Sequence, residues 1–293
     1  MIRITSSIEG SELLKLGLHV SIQGTIDKAV DRAVERGCNT FQIFTGNPRG
    51  WRSKELSPEE VVAFVKKVKQ HKICPVFGHV PYLLNLPSPK EDVYSKSMHS
   101  LMSELKKCGR LGIPYLVAHL GSHLGAGKEE GLRRTTNAIN ASFSNVGGDV
   151  MLLLENTAGS RNSIGSSFEE IRYIIDHIDV REHVGACFDT CHGFAAGYDL
   201  RTRSAVEDTI RKIDKTVGFE RVKLVHLNDS IGDLGSRIDR HEHIGMGHIS
   251  EAGFRNILRS KFGKLPLILE TPIDERRSDI ENLEKTRELA GGS

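Results

Sequence analysis

Eight short apolar runs recur from one end of this 293-residue chain to the other, and they constrain its fold more than any other feature. They are LGLHVS (from Leu16), TFQIFTG (from Thr40), PVFGHV (from Pro75), YLVAHLG (from Tyr115), VMLLLENT (from Val150), VGACFDTCH (from Val184), RVKLVHLND (from Arg221) and LPLILET (from Leu265). Near-continuous apolar character suits parallel strands covered on both faces. Helical patterns lie between them. Ile26, Ala29, Val30, Ala33 and Val34 form one apolar face, ended by Gly37 just past the helix. Ser57-Pro58 followed by Glu60 predicts an N-cap, a proline in the first turn and a capping box. Ser167…Glu170 and Ser204…Glu207 repeat that start signal, ahead of Ile171, Ile174 and Ile175 and of Ile210 and Ile213. Strand then helix, eight times over, reads as a (β/α)8 TIM barrel in one domain. The rival, a doubly wound open sheet, lacks a glycine-rich phosphate turn after the first strand.

Segments leading into the strands are short, whereas those leaving them are long: about Pro81 to Asp92, Leu120 to Lys128, Thr157 to Ser166 and Asp229 to Ile249. In a barrel these all lie on the C-terminal face, where active sites are built. Polar residues gather at the same strand ends. They are His79, His119, Glu155, Asp189 with His192, His226 and Glu270, joined by Asp239 and His241 in the longest loop.

Any one of these histidines alone reads as an ordinary side chain with a hydrogen-bond partner. Four carboxylates and five histidines converging on one end of one barrel do not, because buried carboxylates that close need cations between them. Mixed His/Asp/Glu ligation suits zinc, manganese or iron(II), and nine ligands match three ions if one carboxylate bridges. Asp239 and His241, two apart in an extended loop, face the same way, while Asp189 and His192 straddle a turn and are expected to serve different ions. His123, His243, His71, His99, His177 and His183 are expected outside the ligand set, and a supporting role for His19 stays open. Cys187 and Cys191 read as small inward-facing core residues.

Charge matters only by what it excludes. With 40 basic and 38 acidic residues the chain is no polycation, so nucleic-acid binding has to come from a local patch or from metal. No leader-like or membrane-spanning run is read. Five cysteines without a C-x-x-C pair argue against a disulfide framework and make the cytoplasm the expected compartment.

Taken in order, the segments FTGNPRGW (from Phe44), HVPYLLNL (from His79), HLGSHLG (from His119), LLLENTAG (from Leu152), CFDTCHGFAAGYDLRT (from Cys187), HLNDS (from His226), GSRIDRHEHIG (from Gly235) and LILETP (from Leu267) resemble the endonuclease IV family of apurinic/apyrimidinic endonucleases. The resemblance runs from about His19 to Pro272. It implies three zinc ions, with manganese or iron admissible among them. His79 and His119 would hold the first, bridged through the catalytic Glu155 to a second on Asp189, His226 and Glu270. His192, Asp239 and His241 would hold the third. It also implies a DNA wedge of Arg49, Tyr82 and Leu83, and leaves residues 1–15 as an N-terminal extension before a 16–293 catalytic barrel. By the same resemblance, many bacterial members have proline where Leu120 stands, lysine where Ile231 stands and glutamine near Arg161. The implied substrate is double-stranded DNA containing abasic sites. It would be cut on the 5′ side to leave a 3′-hydroxyl and a 5′-deoxyribose phosphate, with blocked 3′ ends trimmed as well and a monomer as the working form. The alternative is a sugar isomerase or epimerase of the xylose-isomerase-like kind, which needs only Glu155, Asp189, His226 and Glu270.

Overall fold

All eight runs form strands. In the computed structural model, which describes residues 14–51, 55–147 and 149–291, each strand leads into a helix. The first half runs β1 (Leu16–Leu18), α1 (Lys28–Glu35), β2 (Phe41–Phe44), α2 (Pro58–Gln70), β3 (Val76–His79), α3 (Glu91–Leu111), β4 (Tyr115–His119) and α4 (Lys128–Val146). Next come β5 (Met151–Glu155), α5 (Phe168–Asp176), β6 (Val184–Asp189), the short α6 (Thr190–Ala195), α7 (Arg203–Thr216) and β7 (Val222–His226). A two-residue hairpin, β8 (Asp229–Ser230) with β9 (His241–Glu242), precedes α8 (Ser250–Leu258), β10 (Leu267–Leu269) and α9 (Asp279–Ala290).

Parallel pairing runs β1-β10-β7-β6-β5-β4-β3-β2, and a bridge from His19 to Gln42 joins the two ends of that sheet. The closed sheet has no free edge and buries its strands on both sides. The larger core lies between strands and helices, with Phe41, Phe64, Leu101, Ile139, Ile174 and Phe254 among its buried members. Space inside is tight. A Cβ on Gly17 would meet the Thr40 carbonyl oxygen at 1.8 Å, so only glycine fits where β1 crosses β2.

The helix starts follow their sequence signals with one correction. Ser57 caps α2 with Glu60 completing the box, and Ser167 caps α5 by accepting from the Glu170 N–H. Helix α7, expected to start at Ser204, is capped instead by Thr202, whose hydroxyl accepts from the Ala205 N–H. Both side chains can cap. The helix buries Val206, Ile210 and Ile213, the face its sequence pattern predicts. Gly37 takes φ 72° just past α1, as that terminus requires, and Val34 lies at the exposed edge of the α1 face. Of the expected N-terminal extension, residues 1–13 lie outside the described residues; Leu14 packs against the core and its carbonyl accepts from Asn39 Nδ2.

Candidate metal centre

Alternation along the strands builds the site. Side chains two apart on a strand share a face, and Phe77, Val117, Leu153, Cys187, Leu224 and Ile268 pack together as one inward layer. Two residues further along the same strands stand His79, His119, Glu155, Asp189, His226 and Glu270. The polar set therefore sits on an apolar floor at the C-terminal mouth. Asp189 also caps α6, accepting from the His192 N–H at 2.7 Å, and this turn brings His192 back over the mouth.

Glu155 faces two ways. Its Oε2 lies 3.3 Å from His79 Nε2 and 3.1 Å from His119 Nε2. Its Oε1 lies 3.0 Å from His226 Nδ1, which is 3.4 Å from Glu270 Oε2. A third group forms where His192 Nε2 meets Asp239 Oδ1 at 3.0 Å, with His241 Nε2 3.6 Å from Asp189 Oδ2. Three sets result: His79, His119 and Glu155; Glu155, Asp189, His226 and Glu270; His192, Asp239 and His241. Within each, the potential ligand atoms lie within 4.8 Å of one another. All nine expected residues are brought together, and Asp189 and His192 fall in different sets.

The electrostatics call for cations. Glu155 and Asp189 are fully buried, yet among the described residues their side-chain partners are histidines and one amide, never lysine or arginine. Burial alone would raise Glu155, but His119 and His226 outweigh it and hold the carboxyl well below its usual range. Burial would likewise lower His192, but Asp189, Asp239 and Glu155 pull it well above its ordinary value. Asp239 is held at about 2 against its burial, chiefly by His192. The carboxylates thus draw positive charge onto His192 and His226, whereas burial holds His119 below its ordinary value; metal ions would supply the charge that the set lacks. His241 Nε2 is buried with no hydrogen-bond partner, as a nitrogen reserved for a cation would be. Donor set and orphaned nitrogen both fit borderline divalent ions.

Amides that sequence reasoning did not single out hold these groups in place. Gln42 gives Oε1 to His226 Nε2 at 2.9 Å and donates to Glu270 Oε1 at 2.7 Å. Asn228 donates to Asp189 Oδ2 at 2.7 Å and accepts the Glu270 N–H at 2.8 Å. Asn156 accepts the Asp189 N–H at 2.7 Å, and its carbonyl faces His192 Nδ1 at 2.9 Å. Such partners orient ligands and raise their basicity. Their sequence signal is adjacency: Asn156 follows Glu155, and Asn228 follows His226 by two. His19 does support the set, with Nδ1 2.8 Å from Glu270 Oε1.

The remaining residues fall outside the three sets. His123 Nδ1 accepts from the Gly127 N–H, and His243 is buried against Asp274. His71, His99 and His177 are exposed and His183 half-buried. Cys187 belongs to the apolar floor. Cys191 comes within reach of Asp189 and His241, but burial, then Asp189, pushes its thiol up to about 12, so it is poorly placed to ligate. Arg49, Tyr82 and Leu83 stand exposed on the rim, the latter two just beyond His79. The Tyr82 N–H donates to the Pro48 carbonyl at 3.1 Å, which ties the two rim loops together.

Comparison with known proteins agrees with the barrel fold. Residues 30–290 match the model of the xylose isomerase-like TIM barrels. A Methanoculleus marisnigri protein named "Probable endonuclease 4" is 55% identical over 281 residues, covering 95% of this chain and all of the relative. One of the same name from Nitrosopumilus maritimus is 49% identical over 280 residues, covering 94% and 100%. The crystal structure of endonuclease IV from Thermus thermophilus superposes with a TM-score of 0.82 at 36% identity, covering 94% of this chain and 98% of that one. Agreement over nearly the whole length, on a barrel whose mouth carries all nine metal-capable side chains, makes the chain a member of the endonuclease IV family.

Proposed function

We propose that the chain is a DNA-repair phosphodiesterase that cuts the backbone 5′ to abasic sites, leaving a 3′-hydroxyl and a 5′-deoxyribose phosphate, and that also trims blocked 3′ ends. The observation that carries this reading is Glu155, whose two oxygens face separate histidine groups at 3.0–3.3 Å and so can join two ions into one centre. His79, His119 and Glu155 would hold one ion, Glu155, Asp189, His226 and Glu270 a second, and His192, Asp239 and His241 a third. Zinc suits all three, with manganese or iron(II) admissible. When bound, such ions acidify water and neutralise the charge that develops on a phosphate under attack.

The chain's own part is to hold and to select. Gln42, Asn156 and Asn228 fix the ligating groups, and the apolar floor below leaves the mouth as the open side. Tyr82, 66% exposed, and Leu83 would enter the space left by a missing base, with Arg49 beside them. Turning out a nucleotide costs least where its base is already lost, which gives the damage its selectivity. Among the described residues, Arg49, Arg161, Arg237, Arg240 and Arg259 are the arginines whose side chains make no hydrogen bond or ion pair. All but Arg259 lie on loops leaving barrel strands, which supports a duplex lying across the mouth. Residues 16–293 would act as one catalytic domain, and as a monomer.

Glu155, Asp189, His226 and Glu270 alone would serve a sugar isomerase or epimerase. The further sets on His79 and His119 and on His192, Asp239 and His241 favour the nuclease. The test is a duplex with one abasic site. Metal-replete protein should nick it there and spare the intact duplex; chelation should stop nicking and zinc restore it. Nicking that survives chelation, or none at all, would overturn the reading.

A further inference from the structure

Seven of the nine candidate ligands stand on barrel strands, at their immediate ends or on α6, where main-chain hydrogen bonds fix them. Asp239 and His241 do not. They belong to the long segment between β7 and α8, whose only ladder is the two-residue pairing of β8 with β9. Side-chain rungs take the place of a ladder there. His241 Nδ1 lies 3.0 Å from the Glu270 carbonyl oxygen. The Glu242 carboxylate accepts from Arg276 Nη1 at 2.8 Å. Fully buried His243 places Nε2 2.9 Å from Asp274 Oδ1 and Nδ1 2.9 Å from Asn282 Nδ2. Ile244 donates its N–H to Asn282 Oδ1 at 3.2 Å, and its carbonyl accepts from Arg277 Nη1 at 2.6 Å. Four successive residues are thus tied, one after another, to the segment that follows β10 and to α9.

Asp274 and Arg276 brace each other as well, through contacts of 2.7 and 3.0 Å. On the other side, the Asp229 carboxylate accepts the N–H groups of Gly245, Gly247 and Ile249 at 2.9–3.0 Å. The segment is clamped from two directions, and the β10 side holds the residues next to His241.

We infer that Asp274 and Arg276 are positioning residues for Asp239 and His241, so that the latch they form governs how tightly the third set keeps its ion. This rests on the three-ion reading above. Neither residue touches a candidate ligand side chain; they act through Glu242 and His243. Partners that touch a metal's ligands are commonly worth ten- to a hundredfold in its affinity, and these two, which act one residue further out, are expected at the lower end of that range.

The experiment counts ions per chain in the metal-loaded protein across a chelator series, for the parent and for Asp274→Ala and Arg276→Ala. The alanine variants should surrender one ion at about tenfold less chelator than the parent, and keep the other two as the parent does. Asp274→Asn, which keeps an acceptor oxygen for His243 but loses the one that takes the Arg276 guanidinium, should recover part of that retention. An ion held as in the parent, all three lost in parallel, or no recovery with asparagine would each overturn the assignment. Should the alanine variants fail to fold, Glu242→Gln weakens the Arg276 rung alone and is read the same way. A parent that saturates with fewer than three ions defeats the three-ion reading itself, and this assignment with it, before any variant is compared.

Discussion

The floor of the barrel mouth and its rim are built on opposite principles. On the floor, Glu155, Asp189 and His226 are fully buried and each has several partners at hydrogen-bond distance. On the rim, Arg49, Arg161 and Arg237 are exposed and unpaired, and Tyr82, Leu83, Ile231 and Met246 leave large apolar surfaces open to water. A centre that must hold charged groups a few ångströms apart needs every one of them fixed. A surface that must meet a duplex keeps its donors and apolar faces free. Chemistry and recognition should therefore fail separately.

The largest effect should come from the floor. Glu155→Gln leaves shape almost unchanged but removes the shared charge, and should lower turnover on an abasic duplex by at least about a thousandfold, a loss of several kcal/mol in the transition state. Metal analysis should show two sets disturbed together. A variant with near-normal turnover would mean that Glu155 does not join two ions.

Asp239→Ala reaches only the loop-borne set. It should take one ion of three from the purified protein, leave the other pair in place and reduce activity less than the change at Glu155. Equal loss of all three ions would dissolve the distinction between strand-borne and loop-borne groups.

At the rim, Tyr82→Ala and Leu83→Ala should each weaken binding to an abasic duplex by about 1–3 kcal/mol, the scale of a lost stacking contact. Metal content, melting temperature and hydrolysis of a small activated phosphodiester, which needs no flipped nucleotide, should barely change. If small-substrate activity falls together with DNA binding, these side chains support the floor and the comparison collapses.

The smallest effect belongs to the unpaired arginines. Arg161→Ala and Arg237→Ala should each flatten the dependence of log K on log salt by about one unit, with affinity falling evenly across DNA sequences. An unchanged slope would remove them from the duplex path. Ile231 is exposed and offers no charge; its N–H donates to the carbonyl of Arg240, itself exposed and unpaired, so Arg240 is the charged neighbour at this position.

The same contrast governs what could be read from the residues alone. The strands and six of the nine polar residues were legible because period-two alternation sets each of those six directly above an apolar one, as Leu153 lies below Glu155 and Leu224 below His226; His192, Asp239 and His241 were legible from their place beyond the strand ends. The start of α2 was legible because Ser57, Pro58 and Glu60 all signal it, whereas Thr202 and Ser204 both qualify as caps and residue type alone does not choose between them. Gln42, Asn156 and Asn228 escaped notice because an amide carries no metal-ligand signature, and its role depends on neighbours from other strands. His243 could be set apart from His241 by alternation, but its pairing with Asp274 joins two loops distant in sequence and could not be seen.

The central claim, hydrolysis by a metal centre rather than chemistry by a side-chain amine, is tested most directly by the ends of the cut strand. Metal-replete protein should be given an end-labelled duplex with a single abasic site, in the presence and absence of borohydride. The account predicts a 3′-hydroxyl that a polymerase extends without further processing, a 5′-deoxyribose phosphate on the other fragment, and no covalent adduct. A 3′-unsaturated aldehyde, or protein trapped on DNA by borohydride, would show a lysine Schiff base at work and contradict it.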